Sequence, residues 1–189
     1  MRNERSWSTG RLRTRRPLRP ENHAFRVALA LGGNLGDPEA AFRAAIKGLQ
    51  SHLVILNIAP VYRSSPISPI PQPAYLNTAL LADTRLDPWQ LLGLAKALEL
   101  AAGRTQAARF GARPLDIDLL FFDDLQVDEP ELQIPHPRLR QRRFFLAPLA
   151  ELAADQSIPP DGETVAELLA ALGDEQQIEK IGWRQVPPH

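Results

Sequence analysis

The pattern of hydrophobic and polar positions becomes regular at residue 24 and predicts a strand followed by a helix. The apolar run Ala24–Leu31 is typical of a buried strand, and Gly32-Gly33 follows it. Asp37-Pro38 then supplies a capping side chain and a proline suited to the first helical position. Hydrophobic residues recur after it at helical spacing and predict an amphipathic helix through Phe42, Ala45, Ile46 and Leu49.

The next predicted elements are two strands and a helix. Leu53–Tyr62 is rich in apolar and β-branched residues, which predicts a strand, and Pro60 indicates an edge or a bulge. The proline-rich segment Ser64–Ala74 predicts a stiff, extended loop before a strand over Tyr75–Thr84. Asp87 opens a helix with a capping-box pattern. The apolar stripe of this helix comprises Leu91, Leu94, Ala95, Leu98 and Ala102, and Gly103 ends it.

Alternating residues over Pro114–Phe122 predict the last strand of a β-α-β-β-α-β series. This order is typical of the ferredoxin-like α+β fold, in which an antiparallel sheet carries its helices on one face. Two additional C-terminal helices are predicted over Arg142–Leu152 and Glu163–Leu172. We therefore expect one domain over residues 24–175 and a C-terminal tail over residues 176–189.

Composition narrows the possible chemistry. The 189-residue chain has no cysteine, which excludes disulfides, thiolate metal ligands and a cysteine nucleophile. Any bound metal must use carboxylate or histidine ligands, which favours Mg²⁺. The apolar runs are much shorter than the roughly 18 residues of a membrane span. Since the chain also lacks the apolar stretch of a secretory signal, we expect a cytoplasmic protein without a membrane partner.

The net charge of zero conceals an uneven distribution. Residues 1–23 carry seven arginines against two glutamates, whereas the rest of the chain is net acidic by five charges. This composition is typical of a disordered extension, and translation starting near Val27 would remove the segment altogether. A transit peptide and a nucleic-acid-binding arm are the alternative interpretations.

An acidic pair on the predicted Pro114–Phe122 strand is the sharpest chemical signal. Strand alternation places Asp116 and Asp118 on one face. The opposite face receives Leu115, Ile117, Leu119 and Phe121. Neighbouring carboxylates repel each other, and divalent cations between them remove that cost. Such a pair can hold two metal ions that clamp phosphoryl groups. The alternative is a solvent-facing strand with two acids of no chemical role.

The loop Gly103–Arg113, directly upstream of the acids, contains three arginines and an aromatic residue. Guanidinium groups match phosphate oxygens, and Phe110 could stack on a planar ring. Arginines beside a metal-type acid pair favour a polyphosphate ligand. A basic surface loop paired with the acids is the alternative interpretation.

The remaining polar motifs are weaker on their own. Gly32–Gly36 is neither a dinucleotide fingerprint nor a P-loop, and by itself it predicts a tight turn. Tyr75 and Asn77 share one face of a strand beside the proline-rich loop. His136 stands between two prolines, where a rigid histidine is either structural or a phosphate contact. The spacing of a hydrolase triad or a zinc site is absent from the sequence.

Together these segments resemble the 6-hydroxymethyl-7,8-dihydropterin pyrophosphokinase family of folate biosynthesis, over roughly Val27 to Leu172. The family's arginine, glycine and aspartate signature is similar to Arg109–Asp118, and its Gly-x-Asn-Leu turn is similar to Gly32–Leu35. The other matching motifs are Tyr62–Pro66, Gln72–Asn77, Glu99 and Pro135-His136.

The resemblance implies pyrophosphate transfer from ATP, the co-substrate, to the hydroxymethyl oxygen of the pterin, with release of AMP. It implies that Asp116 and Asp118 hold two Mg²⁺ ions and that Arg104 and Arg113 stabilise the phosphates. The implied pterin-binding residues are Gly32, Ser64, Pro66, Ile67, Tyr75, Asn77, Phe110 and Phe144. The implied ATP-binding residues are Glu99, Gln106, Arg109, Leu119, His136 and Arg142.

Several positions depart from the family pattern. Family members usually carry Trp at Phe110, Pro at Ala112, Ser at Gly33 and a second Arg at Gln106. Glu131 stands where some members have an arginine that contacts ATP. Because both acids and the two catalytic arginines are retained, we expect an active enzyme.

Two competing functions come from other classes of protein. A non-catalytic relative would bind the nucleotide and the pterin without reaction, and the departures at the nucleotide end motivate it. An RNA-binding domain of the same fold would use the basic arm. The acidic body and the lack of aromatic alternation on the sheet weigh against RNA. We expect a monomer that does not bind nucleic acid.

Overall fold

The computed structural model describes residues 24–66, 71–104, 111–173 and 176–184. Its main sheet has six antiparallel strands. These are β1 (Phe25–Gly33), β2 (Leu53–Ile58), β3 (Tyr62–Ser64), β4 (Tyr75–Thr84), β5 (Asp116–Phe122) and β10 (Ile178–Lys180). Two small hairpins lie outside the sheet, formed by β6 (Val127–Glu129) with β7 (Leu132–Ile134), and by β8 (Ser157–Ile158) with β9 (Glu163–Thr164).

The described helices are α1 (Pro38–Leu49), α2 (Pro88–Ala101), α3 (Arg143–Ala153) and α4 (Val165–Ala171). Asp37 caps α1, and Asp87 with Gln90 forms a capping box on α2, as the sequence predicts. Gly103 follows α2 with a positive φ of 87°, as a residue ending a helix often does. None of the helices in this part of the chain is long and apolar enough to cross a membrane.

The strand order confirms the predicted ferredoxin-like α+β fold. The sheet runs β10-β3-β4-β1-β5, and β2 pairs with the second half of β4. Both β4 and β5 pair with β1, so β1 is the central strand and its register positions the others. Helices α1 and α2 follow β1 and β4, which match the first and third strands of the predicted β-α-β-β-α-β series because β2 and β3 together correspond to its second strand.

Two hydrophobic cores lie on opposite faces of the sheet. On one face, Leu29 and Leu31 of β1 pack with Phe42 and Ile46 of α1 and Leu91 of α2. A second cluster on the other face joins small residues of β1 to α3 and α4, through Ala28, Ala30, Phe145, Leu149 and Leu168. The helices of the β-α-β-β-α-β core therefore share one face, and the additional C-terminal helices cover the other.

Two departures from the predicted elements have backbone causes. The predicted strand Leu53–Tyr62 divides into β2 and β3, because the chain leaves the sheet at the segment containing Pro60. The register of β5 shifts between Leu119 and Phe121, so that Leu120 is an extra residue. Phe121 therefore joins the core beneath α3, and the prediction that it shares the face of Leu119 is wrong.

A segment after α4, which we call the C-terminal strap (residues 176–184), packs against the domain. Strand β10 pairs with β3, and the Trp183 indole N–H donates to the Ala59 carbonyl at 2.9 Å. Arg184 Nε then reaches Glu39 on α1 at 2.9 Å, and its Nη2 reaches Asp37 at 2.7 Å. The domain therefore includes residues that the sequence analysis placed in a tail.

Candidate active site

One row of residues across the sheet forms the floor of the candidate site. Gly32 of β1 pairs with Asn77 of β4 on one side and with Asp116 of β5 on the other. Two strand spacings separate Asn77 from Asp116, roughly 10 Å. A Cβ at Gly32 would lie 3.5 Å from Asn77 Oδ1, so this amide oxygen borders the open space that glycine leaves. The floor is therefore flat between an amide and a carboxylate.

Asp116 is held by two arginines. Arg104 Nη1 lies 2.6 Å from Asp116 Oδ1, and Arg113 Nη1 lies 2.8 Å from Oδ2. Burial alone would raise the pKa of Asp116, but the charges of Arg113 and Arg104 keep this pKa below its usual value. Asp116 is thus ionised near neutral pH and fixes both guanidinium groups at the cleft.

Glu99 of α2 also binds Arg104, one of the two arginines that hold Asp116. Its side chain is 2% exposed, and its Oε1 accepts the Ile117 backbone N–H at 2.8 Å. Lys96 Nζ lies 3.0 Å from both carboxylate oxygens, and Arg104 forms a close ion pair with Oε2. The buried carboxylate therefore orients Lys96 and shares Arg104 with Asp116.

Asp118 differs from its neighbour because no hydrogen bond to it occurs within the described residues. The nearest basic side chain recorded against it is His136, whose Nε2 lies 3.9 Å from Oδ1. Burial and the negative charge of Asp116 raise the pKa of Asp118 to about 7. An acid pair with one uncompensated member suits a hard divalent cation that brings the missing positive charge.

The pair alone does not complete a metal site. Among the described residues, no group of three or more His, Asp or Glu side chains is arranged to hold a metal ion. Mg²⁺ commonly uses one or two carboxylates together with phosphate oxygens of the substrate. Asp116 and Asp118 therefore fit Mg²⁺ that arrives with a polyphosphate.

The opposite wall of the cleft comes from the start of α3. The Arg142 guanidinium carbon lies 5.2 Å from the Phe144 ring centroid and 5.1 Å from that of Phe145. The Phe145 ring contacts His136 edge-on at 4.9 Å. This wall combines a cation with aromatic surface, as a nucleotide or a flat heterocycle would require.

His136 is fixed as a neutral imidazole. Its Nδ1 accepts the Arg138 backbone N–H at 3.0 Å, so the proton of the neutral ring is on Nε2, towards Asp118. Burial, together with the charges of Arg142 and Arg138, lowers the pKa of His136 to about 4. His136 is therefore a hydrogen-bond donor at neutral pH and adds no charge to the cleft.

The other end of the cleft is lined by amides and hydroxyls. Asn77 Nδ2 donates to Ser64 Oγ at 2.9 Å, which leaves Asn77 Oδ1 as an acceptor beside Gly32. The Tyr75 hydroxyl donates to Gln72 Oε1 at 3.3 Å. This end matches the hydrogen-bonding edge of a polar heterocycle.

Asn34 joins the loops on either side of this region. Its Nδ2 donates to Gln72 Oε1 at 3.0 Å and to the Pro73 carbonyl at 3.1 Å. Its Oδ1 accepts the Arg113 N–H, and its own N–H donates to the Arg113 carbonyl, both at 2.9 Å. The side chain of one turn residue thus connects the proline-rich loop to the arginine loop.

The sheet and the α3 wall enclose a cleft of about 730 Å³. Most predicted site residues that the structure describes line it. These are Gly32, Ser64, Tyr75, Asn77, Arg104, Arg113, Asp116, Asp118, His136, Arg142 and Phe144. Predicted residues that lie outside the described part of the chain are Ile67, Gln106, Arg109 and Phe110.

Three predicted residues are described but do not line the cleft. Pro66 is half-buried at the edge of the proline-rich loop. Glu99 acts through Arg104, and the Leu119 side chain is 5% exposed within the core beneath α1 and α2. The predicted role of Leu119 in binding ATP therefore stays a prediction. Because its side chain lies in the core, only its backbone atoms could contact ATP.

Several residues of the cleft were not predicted from the sequence. Lys96 and Gln176 line it, although neither lies in a recognisable motif. Lys96 was detectable in principle, since it precedes Glu99 by three residues and so shares its helix face. Gln176 reaches the cleft only through the tertiary fold of the C-terminal strap. Glu131, the departure expected to repel phosphate, is exposed in the turn between β6 and β7 and lies outside the cleft lining.

Comparisons with known proteins give a consistent result. Residues 28–154 match the family model of 7,8-dihydro-6-hydroxymethylpterin-pyrophosphokinase. A Pseudomonas aeruginosa 2-amino-4-hydroxy-6-hydroxymethyldihydropteridine pyrophosphokinase is 40% identical over 148 residues, covering 77% of this chain and 91% of that protein. The Methylorubrum extorquens protein of the same name is 40% identical over 158 residues, covering 82% and 98%.

Larger fused proteins also match. The mitochondrial folate synthesis bifunctional protein of Pisum sativum is 36% identical over 176 residues, and the chain spans 34% of its length. A crystal structure of a triple mutant of Plasmodium falciparum HPPK-DHPS superposes with a TM-score of 0.66 at 14% identity, covering 81% of this chain and 44% of that chain. At this identity the structural similarity supports the fold alone.

Proposed function

Because the chain belongs to the 7,8-dihydro-6-hydroxymethylpterin-pyrophosphokinase family, we infer that it is an ATP-dependent diphosphotransferase of folate biosynthesis. It transfers pyrophosphate from ATP to the hydroxymethyl group of 6-hydroxymethyl-7,8-dihydropterin and releases AMP. The bond from the β-phosphorus to the oxygen shared with the α-phosphorus breaks while the new ester bond forms. AMP leaves with the electron pair of that bond, and the substrate hydroxyl loses its proton.

The observation that carries our assignment of residues is the row Asn77–Gly32–Asp116. The row has the Asn77 amide at one end and the Asp116 carboxylate with its two arginines at the other, which supports separate sites for a heterocycle and for phosphates. We assign the pterin to the Asn77 end, where Oδ1 accepts a hydrogen bond from the ring and Phe144 covers its face. The hydroxymethyl group then points along the floor towards Asp116. This arrangement holds the nucleophile close to the phosphates before reaction.

At the phosphate end, the arginines stabilise the charge that develops during transfer. Arg104 and Arg113 are fixed by Asp116, and Arg104 also by Glu99, so they need little rearrangement in the transition state. Arg142 and His136 contact the nucleotide from the α3 wall, with the imidazole donating from Nε2. Lys96 adds a further cation at the edge of the cleft.

Asp116 and Asp118 would hold Mg²⁺ in this scheme. The support for the assignment is that Asp118, unlike Asp116, has no hydrogen-bonded cation among the described residues, and not a pre-formed cluster of ligands. The metal would neutralise phosphate charge and orient the triphosphate. We also propose that the chain acts as a monomer, since one chain supplies both ends of the cleft. We also propose the cytoplasm as its compartment.

The test is pterin-dependent release of AMP from ATP with Mg²⁺, in the wild type and in Asp118→Asn. The variant keeps the size of the side chain but loses its charge, so we expect a loss of about 100-fold or more in kcat. Asp128→Ala, on the exposed β6–β7 hairpin, is the matched control and should keep full activity.

Two results would contradict the assignment. Full activity in Asp118→Asn would show that this carboxylate does not hold the metal. Binding of both substrates by the wild type without AMP release would make the chain a non-catalytic relative. Calorimetric titration with ATP and with the pterin, run beside the activity assay, separates these outcomes.

A further inference from the structure

Gln176 of the C-terminal strap forms two hydrogen bonds to the segment that carries Arg142. Its Oε1 accepts the Arg143 backbone N–H at 2.9 Å, and its Nε2 donates to the Gln141 carbonyl at 2.7 Å. Because one partner is a donor (the Arg143 N–H) and the other is an acceptor (the Gln141 carbonyl), the Gln176 amide has only one possible orientation. One side chain therefore holds the backbone on both sides of Arg142.

This contact replaces a missing helix cap. Arg142 occupies the N-cap position of α3 and provides no side-chain hydrogen bond to the helix. The first N–H groups of a helix have no partner within the helix, and an outside acceptor stabilises them. Gln176 supplies that acceptor from a position more than thirty residues away in the sequence. The start of α3 thus depends on the C-terminal strap.

The held segment carries the wall of the cleft. The Arg142 guanidinium carbon lies 5.2 and 5.1 Å from the Phe144 and Phe145 ring centroids, and Phe145 packs edge-on against His136. A shift of the backbone at Arg142 would displace the guanidinium and the Phe144 ring together. Gln176 and Gln141 themselves line the cleft, so this contact lies at the binding surface.

We propose that Gln176 is a positioning residue that sets Arg142 and Phe144 for binding of ATP and the pterin. Gln176 lies beyond residues 28–154, so the family match assigns it no role. The proposal rests on the proposed function for its substrates, but the geometry that it invokes is measurable without turnover. Ground-state binding should suffer more than the chemical step, because Arg104, Arg113 and Asp116 are held by contacts with one another that do not involve Gln176.

The experiment compares Gln176→Leu, Gln176→Glu and the control Gln177→Leu with the wild type. Leucine removes both hydrogen bonds at similar size, whereas glutamate keeps the acceptor for Arg143 and loses the donor to Gln141. Gln177 is the adjacent exposed glutamine, and no hydrogen bond of its side chain occurs within the described residues. The measurements are kcat, KM for each substrate, calorimetric affinity for ATP, and hydrogen exchange of the Arg143 amide.

We expect Gln176→Leu to raise the KM for ATP about tenfold with kcat reduced less than about threefold, since one or two hydrogen bonds are lost. The KM for the pterin should rise in parallel, and exchange at Arg143 should accelerate. Gln176→Glu should retain slow exchange at Arg143 and show a smaller rise in KM. Gln177→Leu should match the wild type in every measurement.

Unchanged KM values in Gln176→Leu, with faster exchange at Arg143, would overturn the proposal. Unchanged hydrogen exchange of the Arg143 amide in Gln176→Leu would overturn the hydrogen-bonding geometry on which the proposal rests. If the leucine variant fails to fold, the glutamate variant decides: unchanged KM values despite the lost donor to Gln141 would overturn the proposal, and fast exchange at Arg143 despite the retained acceptor would overturn the geometry. A wild type that binds ATP but releases no AMP would contradict the proposed function only, because ATP affinity and amide exchange still test the positioning role.

Discussion

The two acids of β5 differ at the scale of single residues, although they are two positions apart. Asp116 accepts hydrogen bonds from two guanidinium groups, while Asp118 has no hydrogen bond from a described residue. Their pKa values consequently move in opposite directions, down for Asp116 and up to about 7 for Asp118. One acid therefore organises the protein's own cations, and the other is the acid to which we assign a cation from outside.

Substitution of Arg113 is the most direct test of the arginines that Asp116 holds. Arg113→Ala should lower kcat by about 100-fold and raise the KM for ATP much less, because its guanidinium acts mainly on charge that develops in the transition state. The backbone contacts of Arg113 with Asn34 remain in this variant. Steady-state kinetics of AMP release are the measurement.

Arg113→Lys is the matched variant for Arg113→Ala. It keeps the positive charge but loses the planar fork that reaches Asp116, so it should recover only part of the rate. A kcat in Arg113→Ala equal to that of the wild type would remove Arg113 from the chemical step.

Single residues also show which features of the site and the core could be predicted from the sequence. Alternation placed Asp116 and Asp118 on one face correctly, because a strand's side chains alternate wherever its register is regular. It failed at Phe121, because the extra residue Leu120 is invisible in the alternation itself. Gln176 was undetectable, since its role depends on a contact with Gln141 and Arg143 that only the tertiary fold creates.

At the scale of elements, the turn after β1 is packed closely against the strand that carries the acids. A Cβ at Gly33 would lie 2.5 Å from the Pro114 carbonyl oxygen, a backbone atom that a rotamer change cannot move. The sequence departs from its family here, where serine is usual. The structure explains this departure, since a close approach of the arginine loop to the turn requires glycine.

Gly33→Ala should therefore destabilise the protein by about 1–3 kcal/mol, because the added methyl group overpacks a rigid contact. Activity should fall as well, since Pro114 follows Arg113. Gly93→Ala is the same chemical change in the middle of α2, where the new Cβ meets nothing within 4 Å. It should raise stability by about 0.5–1 kcal/mol. Urea unfolding of both variants is the measurement, and equal effects would disprove the close contact.

Strand β3, helix α3 and strand β10 meet at one carboxylate oxygen of Glu151. The Tyr62 hydroxyl donates to Glu151 Oε1 at 2.6 Å, and Lys180 Nζ donates to the same oxygen at 2.7 Å. Burial and the neighbouring carboxylate raise the pKa of Tyr62 above its usual value. A raised pKa in the folded state stabilises the protein fully below the unfolded value near 10, and this contribution is lost as pH rises towards the folded pKa.

The free energy of unfolding should consequently fall above about pH 10 in the wild type. Tyr62→Phe should cost about 1 kcal/mol at pH 7 through the lost hydrogen bond, and should show a flatter alkaline decline. Tyr75→Phe removes the other tyrosine hydroxyl and should keep the steep decline. Chemical denaturation between pH 7 and 11.5 measures this, and parallel curves for wild type and Tyr62→Phe would contradict the prediction.

The elements predicted correctly share a physical property. Long segments with a clear period, such as α1, α2 and β4, bury a continuous face, so their hydrophobic pattern is strong. The missed elements are short, and β6 and β10 have three residues each with mostly polar side chains. Their pairing partners hold them in place, and so the local sequence carries little trace of them.

On the scale of the whole molecule, the C-terminal strap connects the starts of two helices that lie on opposite faces of the sheet. Gln176 holds the start of α3, and Arg184 reaches Asp37 and Glu39 at the start of α1. Glu39 is 1% exposed, and its other described cation is Arg43 at 3.4 Å. A buried carboxylate therefore relies on a residue at the far end of the domain.

Arg184→Met should lower the melting temperature, because it leaves the Glu39 charge poorly compensated. Adding Glu39→Gln should restore part of the loss, since a neutral amide does not need a cation. Arg63→Met breaks an exposed ion pair with Glu179 and should change the melting temperature little. Calorimetry of the three variants is the measurement. A Glu39→Gln change that worsens the effect of Arg184→Met would contradict this coupling.

The position of the C-terminal strap also orders events while the protein is being made. A ribosome adds residues from the N-terminus at about 5–20 per second, so the strap emerges after every other described part of the domain. Until then, a nascent chain already carries Asp116 and Asp118 but lacks the contacts that hold the start of α3. Full capacity to bind both substrates should therefore arise only once the strap has been synthesised, and incomplete chains would compete poorly for ATP.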